Sequence, residues 1–173
     1  MDLTLVEPEV LALADALRRR GWHLASAESC TGGLIAAACT AVAGSSDWFE
    51  RGFVTYSNAA KTEMLGVDAA LIAEHGAVSD VVARAMAQGA VERAGVELGV
   101  AVTGIAGPGG ATPGKPVGTV WLALAVRHPA GTVQLQAERL QLAGDRAAVR
   151  EQTVRVALQR LLGSANDGRR LAV

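Results

Sequence analysis

Two short runs, 23–27 ("HLASA") and 98–102 ("LGVAV"), are mostly apolar on both faces, and each feeds directly into a loop carrying glycines. A strand without polar alternation has to be covered on both sides, the condition of a central strand in a parallel-rich sheet. The rest of the chain must therefore supply a helical layer for each face of that sheet.

The helical patterns are there. Pro8 between Glu7 and Glu9 opens the first, Val10, Leu13 and Leu17 form its apolar stripe, and Arg18-Arg19-Arg20-Gly21 closes it. Residues 34–42 form a second helix, whose "AAAC" face permits close approach to the sheet, and 51–56 form a further strand. Ser57-Asn58 caps the helix "AAKTEMLGV", a second helical segment covers 68–74, and Gly76 breaks it. Ser79 caps a longer helix with Val82, Met86 and Ala90 on one face and Gly95 at its end. Residues 119–126 and 132–142, joined through Pro129-Ala130-Gly131, read as a hairpin, and Gly144-Asp145-Arg146 opens a last helix. The order predicts a three-layer α/β/α sandwich with a mixed, mainly parallel sheet. It also predicts one domain over 1–173, with the tail "GSANDGRRLAV" frayed, above all over 167–173.

Composition narrows the partners. Hydrophobic residues make up 50% of the chain but aromatics only 3%, so the core is built from small and aliphatic side chains. A net charge of −1 and the scarcity of rings argue against nucleic acid as a partner. Cys30 and Cys39 lie too far apart along a helix to bond, which implies free thiols and a reducing compartment. The N-terminal "MDLTLVEPEV" lacks a basic, apolar leader, and no run spans a bilayer; a soluble, cytoplasmic protein without membrane contact is expected.

Chemistry concentrates in "ESCTGG", between the first strand and the second helix. The amides of Thr31, Gly32 and Gly33 would face outward at the positive end of a helix, where they suit a phosphate or a developing oxyanion, with Ser29 or Cys30 at the mouth. A plain glycine turn with a serine cap fits the same residues. A serine nucleophile needs a base, and His23, His75 and His128 are poorly placed for it; no cluster has metal-ligand spacing, so no metal or other cofactor is expected. Lys61 is one of only two lysines. It falls in the first turn of a helix beside Ala59, Ala60 and Leu65, and both the dipole and the apolar setting lower an ammonium pKa. A surface lysine pairing with Glu63 or Glu74 is the alternative. The loop from Thr103 through Gly104 and Gly107 has the freedom to wrap a polar ligand. Gly109 and Gly114-Lys115 have P-loop spacing, but Pro116 replaces the magnesium-binding hydroxyl and a strand follows, which excludes a nucleoside triphosphatase.

Taken together, "ASAESCTGGLIAA", "GSSDWFERGFVTYSNAAKTEMLGV", "GAVSDVVARAMAQGA", "VAVTGIAGPGGATPGKPVGTV" and "GDRAAVR" resemble, in order and spacing, the CinA C-terminal family of competence/damage-inducible proteins. The resemblance implies a metal-free Ser/Lys amidohydrolase that converts nicotinamide mononucleotide to nicotinic acid mononucleotide and ammonia in pyridine nucleotide salvage. On that basis Ser29 is the nucleophile, Lys61 the base, Tyr56 an orienting or proton-relaying group, and Cys30 a packing residue. Thr31, Gly32, Gly33, Thr103, Gly104 and Gly107 become candidate substrate contacts, with Arg146 as phosphate partner and a homodimer as a possible assembly. The chain shows no counterpart of the molybdopterin-binding-like domain of longer members, so that domain's pyrophosphatase activity is expected to be absent. Two rival readings are a catalytically silent nucleotide-binding or interaction module, and an amidase for another small amide.

Overall fold

The computed structural model describes residues 2–167, and the end of the chain predicted to fray, from 168 onward, lies outside them. Five strands form one sheet in the order β2-β1-β3-β4-β5, comprising β1 (Leu24–Glu28), β2 (Phe49–Val54), β3 (Leu98–Gly104), β4 (Thr119–Arg127) and β5 (Val133–Gln141). β1 pairs parallel with both β2 and β3, whereas β3, β4 and β5 pair antiparallel in succession. Only β4 therefore runs against the others, and the sheet is mixed but mainly parallel in direction. The carboxyl ends of β1, β2, β3 and β5 all open on one edge, where open α/β sheets hold their ligands.

Helices cover both faces. α1 (Glu7–Arg20), α2 (Leu34–Thr40) and α6 (Arg146–Asp167) lie on one side, where Leu13, Leu17, Leu158 and Leu161 meet Leu24, Val100, Val102 and Leu122. α3 (Asn58–Leu65), α4 (Ala69–His75) and α5 (Asp80–Ala94) lie on the other, against Ala25, Ala27, Ala101, Ala123 and Ala125. Successive strand residues point to opposite faces, so alternating large and small residues give one deep face and one shallow face. On the shallow face α5 approaches until a Cβ added at Gly99 would lie 3.3 Å from Ala87 O. This close packing uses the alanine and glycine that the composition shows in place of aromatic rings.

Three boundaries differ from the expectation. β2 starts at Phe49 rather than at residue 51, because Trp48 is fully buried and brings Phe49 edge-on against it, in register with Leu24. α2 ends at Thr40, whose hydroxyl turns back onto Ala36 O. α6 continues through Asp167, so 163–167 are helical: Ala165 is buried and its carbonyl accepts from Arg20 Nη1 at 3.0 Å.

Candidate active site

The chain leaves β1 at Glu28 and turns at Ser29, whose amide still donates to Val102 O of β3 at 3.0 Å. Across β1, Thr55 N donates to Glu28 O at 2.8 Å and carries the β1–β2 pairing one residue beyond the strand. Ser57 then caps α3 by accepting from Ala60 N at 3.0 Å. These bonds bring the first turn of α3 over Ser29. Lys61 Nζ reaches 3.2 Å from Ser29 Oγ and donates to Thr55 O at 2.9 Å and Ser57 O at 3.5 Å, rather than pairing with Glu63 or Glu74.

Lys61 is fully buried, at 0% exposure. Desolvation pushes its pKa below the usual lysine range, opposed only by the neighbouring Cys30 sulfur. A neutral amine has two N–H groups and one lone pair. Protonated, the amine donates to Ser29 Oγ; in its neutral form, with the Thr55 and Ser57 carbonyls accepting the two protons, the lone pair is left for the Ser29 hydroxyl.

The glycine turn differs from its expected form. Glu28 is fully buried, and its carboxylate accepts from the amides of Gly33 (3.0 Å), Ile35 (3.0 Å) and Ala36 (2.8 Å) at the start of α2. The positive end of the helix is thus occupied by a side chain of this protein, which satisfies donors that would otherwise attract a ligand. Gly32 N donates to Ser29 O at 3.1 Å within the turn. The amides of Gly32 and Gly33 are therefore taken, and among the described residues those of Cys30 and Thr31 have no backbone partner but lie against the Cys30 sulfur. Cys30 is buried against Ala106, Val120 and Val149, and burial pushes its thiol up to about 11. Cys39, also free, is pushed up by the same cause.

The loop after β3 is organised for packing. Thr103 is 1% exposed and its hydroxyl donates to Ala77 O at 2.9 Å, so it offers nothing to a ligand in this arrangement. Gly104 is glycine because a Cβ would stand 2.8 Å from Thr119 O. Gly107 contributes its carbonyl, which accepts from Arg146 Nη1 at 3.0 Å, while Arg146 Nη2 donates to Tyr56 Oη at 2.9 Å. Tyr56 is 60% exposed and stands at the rim, and its hydroxyl is bonded to Arg146 rather than to Ser29 or Lys61. Beside Arg146 lies an open cleft of about 550 Å³, lined by Gly107, Pro108, Val117, Asp145, Arg146 and Arg150. Its size and its two guanidinium groups, set against the one carboxylate of Asp145, suit a nucleotide-sized anion. Arg150 also donates to Thr31 O at 2.8 Å, which joins the cleft to the Ser29 turn.

Two of these groups were not singled out in the sequence. Glu28 carried a signal, an acid closing an apolar strand before a Gly-Gly helix start; Arg150 carried only its place one turn after Arg146. The P-loop-like Lys115 ties its loop to α4 by donating to His75 O at 3.2 Å. Among the described residues no group of His, Cys, Asp and Glu is arranged to hold a metal, and no helix is long and apolar enough to cross a membrane.

With this geometry in place, the comparisons are specific. Residues 7–164 match the model of the CinA C-terminal domain. A CinA-like protein of Citrifermentans bemidjiense is 60% identical over 146 residues, which are 84% of this chain but 34% of that protein, so the chain spans about a third of its length. The Pseudomonas putida protein named nicotinamide-nucleotide amidohydrolase PncC is 53% identical over 150 residues, covering 87% of this chain and 91% of the relative. In three dimensions, the competence damage-inducible protein A of Klebsiella pneumoniae superposes with a TM-score of 0.88 at 39% identity, over 95% of this chain and 99% of that one.

Proposed function

Because the chain belongs to the CinA C-terminal domain family, we propose that it hydrolyses the carboxamide of nicotinamide mononucleotide, releasing nicotinic acid mononucleotide and ammonia through a Ser29 acyl-enzyme. The observation that carries this reading is the buried, carboxylate-free Lys61 amine 3.2 Å from Ser29 Oγ. The name of the Pseudomonas putida relative, over nearly its whole length, supports the substrate.

Neutral Lys61 accepts the Ser29 proton as Oγ attacks the carboxamide carbon, and the Cys30 and Thr31 amides face the developing oxyanion. As the tetrahedral intermediate collapses, the C–N bond breaks and Lys61 gives the proton to the departing nitrogen, which leaves as ammonia. Water then attacks the ester, Lys61 takes its proton and passes it to Ser29 Oγ, which leaves as the hydroxyl. The cleft beside Arg146 receives the 5′-phosphate, with Tyr56 orienting that guanidinium. Two buried free thiols support a reducing, cytoplasmic setting. The deciding experiment measures ammonia release with nicotinamide, its riboside and its mononucleotide. Rapid release from the mononucleotide, abolished in Ser29→Ala, is the expected result, and no release from any of the three overturns the reading.

A further inference from the structure

The turn that carries Ser29 is held by a side chain that takes no part in the chemistry above. Glu28 Oε2 accepts from the Thr31 hydroxyl at 2.7 Å and from Gly33 N and Ile35 N, both at 3.0 Å. Its Oε1 accepts from Ala36 N at 2.8 Å and the Ser26 hydroxyl at 3.1 Å. One buried carboxylate thereby ties strand, turn and helix together with five bonds. Burying such a group is costly unless its oxygens are fully satisfied. A helix start needs no such device, since a serine or aspartate at the cap position would serve. What a local cap cannot do is grip Thr31. That residue is held at both ends, its hydroxyl on Glu28 and its carbonyl on Arg150 Nη2 at 2.8 Å.

We propose that Glu28 is a positioning residue: it fixes the Ser29–Cys30–Thr31 turn so that the nucleophile meets Lys61 and the Cys30 and Thr31 amides are set for the reacting carbonyl before substrate arrives. The inference rests on Ser29 being the nucleophile. Geometry set in advance acts on the transition state more than on ground-state binding, so its loss appears in kcat rather than in KM. In Glu28→Gln one oxygen is replaced by an NH2 that faces hydrogen-bond donors, and the grip loosens.

The test follows sulfonylation of Ser29 by phenylmethanesulfonyl fluoride, read by intact mass and peptide mapping, beside kcat and KM per folded molecule. Glu28→Gln is expected to slow labelling and kcat by about 10- to 100-fold, with KM within about twofold. Thr31→Val, which removes only the hydroxyl arm, is expected to slow both by a smaller factor, and Thr31→Ser to restore them. Should Glu28→Gln not fold, the valine and serine variants decide alone. Wild-type labelling rates in Glu28→Gln or Thr31→Val, or an effect confined to KM, overturn the proposal. Absence of Ser29 labelling in the wild-type protein overturns instead the nucleophile reading on which it rests, and the proposal with it.

Discussion

Lys61 Nζ stands 3.2 Å from Ser29 Oγ across 32 positions of sequence, and neither group has a carboxylate or imidazole to activate it. The pair depends on burial. On the proposed mechanism the base is the deprotonated amine, and desolvation lowers the lysine pKa, so the active fraction grows as pH rises through a value below the ~10.4 of a free lysine. A kcat/KM profile should show that rising limb. Lys61→Arg should lower turnover by about 10²- to 10⁴-fold with an unchanged circular dichroism spectrum, because a guanidinium stays protonated. Near-normal turnover in that variant would remove Lys61 as the base.

Cys30 is the rival nucleophile by position alone. Its thiol is pushed up to about 11 by burial, so almost none is thiolate at neutral pH. Cys30→Ala should keep turnover within about twofold and cost about 1 kcal/mol of stability from lost packing against Ala106, Val120 and Val149. Ser29→Ala should lose about three orders of magnitude or more. The opposite outcome in these two variants would transfer the nucleophile to the thiol.

Arg146 spans the cleft from Gly107 O to Tyr56 Oη, exposed enough to exchange either bond for a phosphate oxygen. A charge-assisted bond is worth about 1.5–3 kcal/mol, so Arg146→Gln should reduce kcat/KM on the mononucleotide by about 10- to 150-fold. The riboside, which lacks the phosphate, should be affected little. An equal loss on both substrates would place the phosphate elsewhere. Tyr56→Phe should raise KM without abolishing kcat; complete loss of turnover would restore the tyrosine to the proton path.

What the sequence makes legible here is whatever repeats locally. The apolar runs, the Ser57 and Gly95 signals and the hairpin turn each have short-range causes, and the layered sheet follows from their order. The turn and the cap alone leave a plain glycine turn and a surface lysine open, and it is the order of several motifs that singles out Ser29 and Lys61. The helix start was misjudged because its donors are satisfied by Glu28, whose carboxylate reaches forward to Ile35 and Ala36, seven and eight residues later. No local rule distinguishes that carboxylate from an external anion. Thr103 shows the same limit: in sequence it opens a flexible loop, but in the fold its hydroxyl faces Ala77 O. Arg150 reaches Thr31 from 119 positions away, which only the assembled sheet brings together.

Lys61 is also set from behind, at Gly89 of α5. A Cβ there would overlap Leu65 O, the carbonyl of the last residue of α3, one turn beyond Lys61. In an open helix, alanine in place of glycine adds about 1 kcal/mol of stability. A methyl that close to a backbone atom cannot be accommodated by a side-chain rotation, so α3 and α5 must move apart. Gly89→Ala is expected to cost about 1–3 kcal/mol and, by shifting Lys61 from Ser29, up to about 10²-fold in kcat. Gly163 in α6 is the control: it is exposed and has nothing within 4 Å of an added Cβ. Gly163→Ala should therefore raise stability by up to about 1 kcal/mol and leave turnover unchanged. Thermal unfolding of the two variants should move Tm in opposite directions, by about 2–4 °C for each kcal/mol. A Gly89→Ala protein as stable and as active as the wild type would show that α5 does not hold α3, and Lys61 with it, against the nucleophile.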